Sequence, residues 1–299
     1  MAVLIDTDIG DDIDDALALA LALRSPELDV VGVTTVFQCA PLRARLVAHL
    51  LAAYGRPAVP VVAGTDRPLL GSVRRDWAPN QADVLNAAPD RPPSPGRAVD
   101  FIVAEGMRRP GLVLLPIGPL TNVALAFAVE PRLAARVRVV AMGGAWDRPE
   151  AEYNIRCDPE ALALLLAAGA RVDFVGLDVT TRVRLRPADL QCLAAAPPEG
   201  PQGTLLRFLR AWQRGGGLEE SACPLLHDPL AVAAVFRPDL LTWEEGAVSV
   251  ELGAEPGAGH GRTRLDAADG GAGQRVARGV DVEGFADLFG QRVSEPPHG

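Results

Sequence analysis

The 299-residue sequence predicts an α/β fold: a doubly wound, mostly parallel central sheet with flanking helices, in one domain spanning residues 1–299. Three observations predict it. Short apolar runs alternate with helical stretches through the first two-thirds of the chain. Several runs are rich in β-branched residues, as at Val30, Val31, Val33 and Thr34. Neither an internal repeat nor an interdomain linker breaks the rhythm. Such a fold places its sites at the C-terminal ends of the strands.

Ala2 to Ile5 reads as the first strand and Ala16 to Leu23 as the first helix. Leu28 to Val36 is the second strand. Leu42 to Tyr54, apolar at Leu42, Leu46, Leu50 and Leu51, is the helix after it. Val59 to Ala63 is a third strand. Gly71 to Pro95 is rich in Pro, Asn and Asp and lacks periodicity, which makes it a surface loop or a lid. Gly96 to Arg109 is a helix, Leu112 to Pro116 a strand, and Leu120 to Ala128 a helix. Val137 to Met142 is a strand that Gly143-Gly144 ends. Pro159 to Ala168 is a helix with Gly169 past its end, and Val172 to Gly176 is a strand. After Asp178 the rhythm changes. Helices are expected at Pro187–Ala196, Thr204–Gln213 and Asp228–Phe236, then Gly-rich strand and loop from Ala247 to Val280, then a closing helix over Val282–Phe289.

The turn between the first strand and helix is Asp6-Thr7-Asp8-Ile9-Gly10-Asp11-Asp12-Ile13-Asp14-Asp15. Six carboxylates in ten residues resist being crowded and ionised together without a counter-charge. The chain has no lysine, and the nearest arginine in sequence is Arg24. A divalent cation is the natural partner, and oxygen-only ligands point to Ca²⁺ or Mg²⁺ rather than zinc. Aspartates also cap helix N-termini, which accounts for one or two of the six. An EF-hand does not fit: Gly10 falls where that loop needs a ligand, and its twelfth position would be Leu17 rather than Glu.

Composition narrows the class. Formal net charge is −9, from 38 acidic and 29 basic residues, which argues against a nucleic-acid surface. Cys39, Cys157, Cys192 and Cys223 form no C-x-x-C and read as free thiols of a reducing compartment. The N-terminus reads as a buried strand rather than a signal peptide. Leu17 to Leu23 is too short an apolar run to span a membrane. A cytoplasmic protein with no membrane partner is the expectation.

The acidic turn resembles the opening motif of the nucleoside hydrolases, the inosine–uridine-preferring N-ribohydrolases, usually written D-x-D-P-G-x-D-D. Here Ile9 replaces the proline and the spacing to Ala16 is longer, a D-T-D-I-G-x-D-x-D-D-A subgroup pattern. Later segments resemble the family in order. They are Ile117-Gly118-Pro119-Leu120-Thr121-Asn122, Met142-Gly143-Gly144, Ala151-Glu152-Tyr153-Asn154, Asp158-Pro159-Glu160-Ala161, Val175-Gly176-Leu177-Asp178-Val179-Thr180 and His227-Asp228-Pro229. The resemblance runs clearly from Ala2 to Asp228 and loosely beyond. It implies a Rossmann-like nucleoside hydrolase fold and Ca²⁺-dependent hydrolysis of the N-glycosidic bond of ribonucleosides. The metal ligands would be Asp8, Asp15, Asp228 and the Ile117 carbonyl. Glu152, Asn154, Asp228 and either Asp12 or Asp14 would hold the ribose. A nucleoside would be the partner, and the assembly a homodimer or homotetramer. Asp158 reads as a helix N-cap with proline after it, and Asp178 as structural.

Cleaving an N-glycosidic bond needs an activated water, a stabilised oxocarbenium-like centre and help for the departing base. Asp8 is the candidate base for the water, in the manner of an inverting glycosidase. His227 is the candidate partner of the leaving base, and Asp6 would support Asp8 from behind. The base-facing positions depart from the family. Gln38-Cys39 stands where it often has G-N, Asn80-Gln81-Ala82-Asp83 where it often has H-G-E-S-G, and Thr181 where some members carry histidine. That departure keeps open a non-catalytic nucleoside- or sugar-binding protein. Asp6-x-Asp8 after a strand also opens the haloacid-dehalogenase phosphatases. Those enzymes usually hold phosphate with a lysine, and this chain has none.

Overall fold

The computed structural model describes residues 1–72, 78–87, 91–253, 260–267 and 273–294. Among the described residues nine strands form one sheet: β1 (Ala2–Thr7), β2 (Asp29–Thr35), β3 (Val61–Ala63), β4 (Val113–Pro116), β5 (Arg138–Met142), β6 (Val172–Val175), β7 (Leu241–Val250), β8 (Thr263–Asp266) and β9 (Gln274–Val280). Their spatial order is β3-β2-β1-β4-β5-β6-β9-β7-β8. The β3 to β6 portion and the β6–β9 pair are parallel, whereas β7 pairs antiparallel with both β8 and β9. The expected α/β class and mostly parallel sheet hold. The order reverses between β1 and β4, so the loops after these two strands diverge and leave a crevice.

The helix Asp14–Arg24 carries an alternation of Ala and Leu, both strong helix formers. Ala16 through Leu21 are all fully buried, so the helix has no solvent face beyond its ends. It packs against the helix His227–Phe236, which is buried over Asp228–Val235. Small residues on both helices allow a close approach. Their first turns therefore meet, and both present N-terminal peptide dipoles to the same crevice.

The C-terminal strands begin earlier than expected, at Leu241, because Leu241–Gly246 pairs with the partner strand β9. The loop-or-lid region divides. Residues 73–77 and 88–90 lie outside the described residues, while Ala82–Ala87 forms a 3₁₀ turn. Ahead of that turn the chain docks on the acidic loop: the Gln81 N–H bonds the Gly10 carbonyl (2.9 Å), and the Gln81 side-chain amide bonds the Asp12 carbonyl (2.6 Å). Gly10 sits at φ +130°, and a Cβ there would lie 2.5 Å from the Pro79 side chain, so only glycine fits. Among the described residues, no helix is long and apolar enough to cross a membrane.

Candidate active site

A cavity of about 400 Å³ opens at the carboxyl ends of β1 and β4. Its floor carries Asp8, Asp14, Asp15, Asp228, Ile117 and Asn154. Asp11, Asp12, Asn80, Met142, Tyr153, Leu177, Trp212, Gly216 and His227 complete its walls. The carboxylates of Asp14, Asp15 and Asp228 each offer an oxygen within 4.8 Å of the others, and all three are buried. Asp15 is held by the Thr7 hydroxyl at 2.5 Å, and Thr7 in turn accepts the Ile9 N–H at 3.1 Å. The Asp228 backbone N–H points at Asp14 Oδ2 across 3.4 Å.

Burial, and then the neighbouring carboxylates, push the Asp14, Asp15 and Asp228 carboxyls well above their ordinary range. The Asp8 charge raises all three. The Asp8 carboxyl itself is raised to about 7, chiefly by burial and against the pull of Arg43. Gly118 permits this arrangement: a Cβ there would stand 2.7 Å from Asp8 Oδ1.

Arg43 is the residue that the sequence pattern hides. It is 1% exposed, on the helix Ala40–Ala53. Its guanidinium donates to the carbonyls of Phe37 (2.7 Å), Gln38 (2.9 Å), Ile9 (2.8 Å) and Asp8, and pairs with the Asp11 carboxylate at 3.0 Å. The acidic loop thus has an internal counter-charge, although the nearest arginine in sequence is Arg24. Two of the carbonyls that the guanidinium gathers belong to Phe37 and Gln38, which with Cys39 are three successive residues with φ of 63°, 40° and 53°. Left-handed backbone at three non-glycine residues is costly. Here Arg43, with bonds from the Phe37 and Gln38 N–H groups to the Thr65 and Asp66 carbonyls, holds it in place.

The remaining expected residues fall as follows. Asn154 faces the cavity and spends its amide N–H bonds on the carbonyls of Ile117 (3.1 Å) and Met142 (3.3 Å). Its Oδ1 has no protein partner among the described residues. Glu152 is buried, but its carboxylate caps the following helix, accepting the N–H groups of Asn154 (2.8 Å) and Ile155 (3.0 Å). It does not line the cavity. Asp12 is exposed at the cavity edge, whereas Asp14 sits in the buried cluster. Asp6 binds the Thr34 hydroxyl (2.6 Å) and the Asn122 amide (2.9 Å), tying β1 to its neighbours rather than touching Asp8. Asp158 caps its helix through the Ala161 N–H, and Asp178 accepts the Trp146 and Asp147 N–H groups, both structural as expected. His227 stands on the wall, its ring held mostly neutral, with its pKa lowered to about 4 by burial and by the charges of Arg148 and Arg184.

The family model of inosine-uridine preferring nucleoside hydrolases matches residues 3–287, nearly the whole chain. The chain belongs to the nucleoside hydrolase family. It is 34% identical to uridine nucleosidase 1 of Arabidopsis thaliana, covering 98% of this chain and 93% of that protein. It is 33% identical to the pyrimidine-specific ribonucleoside hydrolase RihA of Klebsiella pneumoniae, covering 98% of each chain. Among solved structures, a plant nucleoside hydrolase, the PpNRh1 enzyme, superposes with a TM-score of 0.83 at 30% identity, over 99% of both chains. A purine-preferring ribonucleoside hydrolase from Gardnerella vaginalis superposes with 0.84 at 28% identity, over 98% of both.

Membership makes this chain an N-glycosyl hydrolase of ribonucleosides. The cavity lining joins carboxylates with Trp212, Leu177 and His227. Trp212 was not singled out by sequence. It lies on the helix Pro201–Gly215, whose strong apolar face reads as core packing.

Proposed function

We propose that the chain, as a single nucleoside hydrolase unit, hydrolyses ribonucleosides in this cavity with a resident Ca²⁺, uridine being the first substrate to test. The observation that carries the reading is the convergence of three buried carboxylates, Asp14, Asp15 and Asp228, in a cavity that Asp8 and Ile117 also line, at the point where the strand order reverses. This donor set fits a hard divalent cation. It is all oxygen, three of its carboxylates are buried within 4.8 Å, and burial and mutual repulsion oppose their ionisation. Asp8, Asp15, Asp228 and the Ile117 carbonyl would hold the ion, with Asp14 beside them. When bound, it offsets the carboxylate charge and lowers the pKa of adjacent water.

The chain's own residues supply the rest. Asp8, a carboxylate on the cavity lining, is the group that accepts a proton from water. The water oxygen bonds the anomeric carbon as the N-glycosidic electron pair passes to the base. Asn154 Oδ1, with Asp14 and Asp12, accepts ribose hydroxyls and so orients that carbon. Glu152 acts indirectly, by fixing the turn that presents Asn154. Trp212 and Leu177 form an apolar wall for the base, and His227 donates a hydrogen bond to it as it leaves. The similarity to uridine and pyrimidine nucleosidases supports uridine as first choice. The family resemblance favours a homodimer or homotetramer, and four free cysteines suit the cytoplasm.

A panel of purine and pyrimidine ribonucleosides, assayed for both free base and ribose, tests the proposal. Stoichiometric release of the two products is expected from at least uridine. Binding of nucleosides without release of either product would favour the non-catalytic alternative.

A further inference from the structure

His227 has one protein partner among the described residues: its Nδ1 lies 2.7 Å from the Thr180 hydroxyl. Thr180 is fully buried in the short helix Leu177–Thr180 that follows β6. Its N–H is taken by the Gly176 carbonyl at 3.1 Å. No other hydrogen bond reaches its hydroxyl among the described residues. The neighbouring Thr181 differs, since its hydroxyl is spent on the Leu177 carbonyl (2.7 Å) and the Arg148 guanidinium (2.8 Å).

Counting protons fixes the direction of the Thr180–His227 bond. A hydroxyl has one proton to give. Were Nδ1 protonated, it would donate to Thr180, and the threonine proton would be buried with no acceptor. With Nδ1 bare, the threonine donates to it and both groups are satisfied. The count rejects a doubly protonated ring for the same reason. The ring proton therefore belongs on Nε2, the nitrogen with no protein partner among the described residues, on a side chain that lines the cavity.

We propose that Thr180 is a positioning residue that holds His227 as the Nε2–H tautomer, so that the ring offers a hydrogen-bond donor to the departing base. The base then leaves as an anion stabilised by that donor and takes its proton from solvent, while the ring keeps its own. Thr180 never touches substrate. The inference rests on the nucleosidase reading of the cavity, and its test separates the two.

The tautomer is read from two-bond ¹H–¹⁵N correlation spectra of the full chain labelled at histidine. The His227 signals are assigned by their loss in His227→Ala. A bare Nδ1 and a protonated Nε2 are expected in the wild type, a mixture of tautomers in Thr180→Val, and recovery of the wild-type pattern in Thr180→Ser. Kinetically, Thr180→Val should lower kcat on uridine about tenfold or more with KM little changed. The loss on p-nitrophenyl riboside, whose leaving group needs no donor, should be smaller, and Thr180→Ser should restore uridine turnover. A thermal melt on each variant monitors folding, and if Thr180→Val does not fold, the wild-type spectrum decides alone. A protonated Nδ1 in the wild type, or equal losses on both substrates in a folded Thr180→Val, overturns the proposal. A wild type that hydrolyses no nucleoside defeats the nucleosidase reading instead, and the spectrum still decides the tautomer.

Discussion

The two sides proposed for the cavity, one for the sugar and one for the base, are built differently. The sugar side is made at the ends of β1 and β4 and from the first turns of two helices buried almost all round. Several of its polar groups are braced: Asp15 by Thr7, Asn154 by two carbonyls, the acidic loop by Arg43. The base side is assembled from separate segments, with Asn80 before a 3₁₀ turn, Trp212 and Gly216 at the end of a surface helix, and Leu177 after β6. The chemistry tolerates change on one side more than on the other. The ribosyl group needs fixed geometry at sub-ångström tolerance, which a packed core supplies. The base needs an apolar wall and one donor, which loops of varied sequence can provide.

Substitutions on the two sides should therefore fail differently. Asp8→Asn keeps the shape of the side chain but removes the base and one negative charge. It is expected to lower kcat by about 10⁴, the upper end for a general base, on every nucleoside and on p-nitrophenyl riboside alike. A rate within a few-fold of wild type would remove Asp8 from the mechanism. His227→Ala should cost about 10²–10³ on uridine and much less on p-nitrophenyl riboside, because that leaving group departs unaided. Comparable losses on both substrates would place His227 with the sugar side.

A smaller effect concerns stability without metal. The Asp6 and Asp8 carboxyls, raised by burial to about 6 and about 7, keep protons in the folded chain that the unfolded chain releases above about 3.8. In that window the native state binds more protons, so its stability is lost as pH rises through 6 to 7. Melting temperature in EDTA should thus fall by a few degrees between pH 5.5 and pH 7.5. Added Ca²⁺ should recover most of that fall at pH 7.5. A metal-free melting temperature that rises with pH across this window would show that other groups dominate.

The comparison also explains what the sequence could disclose. The βα alternation and acidic loop were legible because a buried parallel strand and a run of aspartates have few other uses. The pairing of Asp228 with that loop was legible only through the family resemblance, since it depends on two helices 214 residues apart in their acidic positions. Arg43 was not legible. Two residues from Arg45 on a helix, it resembles a solvent-facing residue, and the carbonyls that hold it come from the left-handed turn at Phe37–Cys39 and from Asp8 and Ile9. Nothing in the identities Phe, Gln and Cys announces positive φ. Thr180 was hidden because a buried threonine after a strand looks like packing. The capping role of Glu152 was not legible in its motif: a carboxylate one residue ahead of a helix accepts that helix's free N–H groups. The departures at Asn80 and Gln81 looked like lost function. In the fold, Gln81 instead clamps the Asp12 carbonyl and delivers Asn80 to the cavity.

The carboxylates of the proposed sugar side are expected to work as a Ca²⁺-dependent hydrolytic centre. This is tested most directly by the initial rate of ribose release from uridine, measured after exhaustive EDTA treatment and again after Ca²⁺ is restored. Loss of nearly all turnover in EDTA and its return with Ca²⁺ is the predicted result. An undiminished rate in metal-free protein would contradict it.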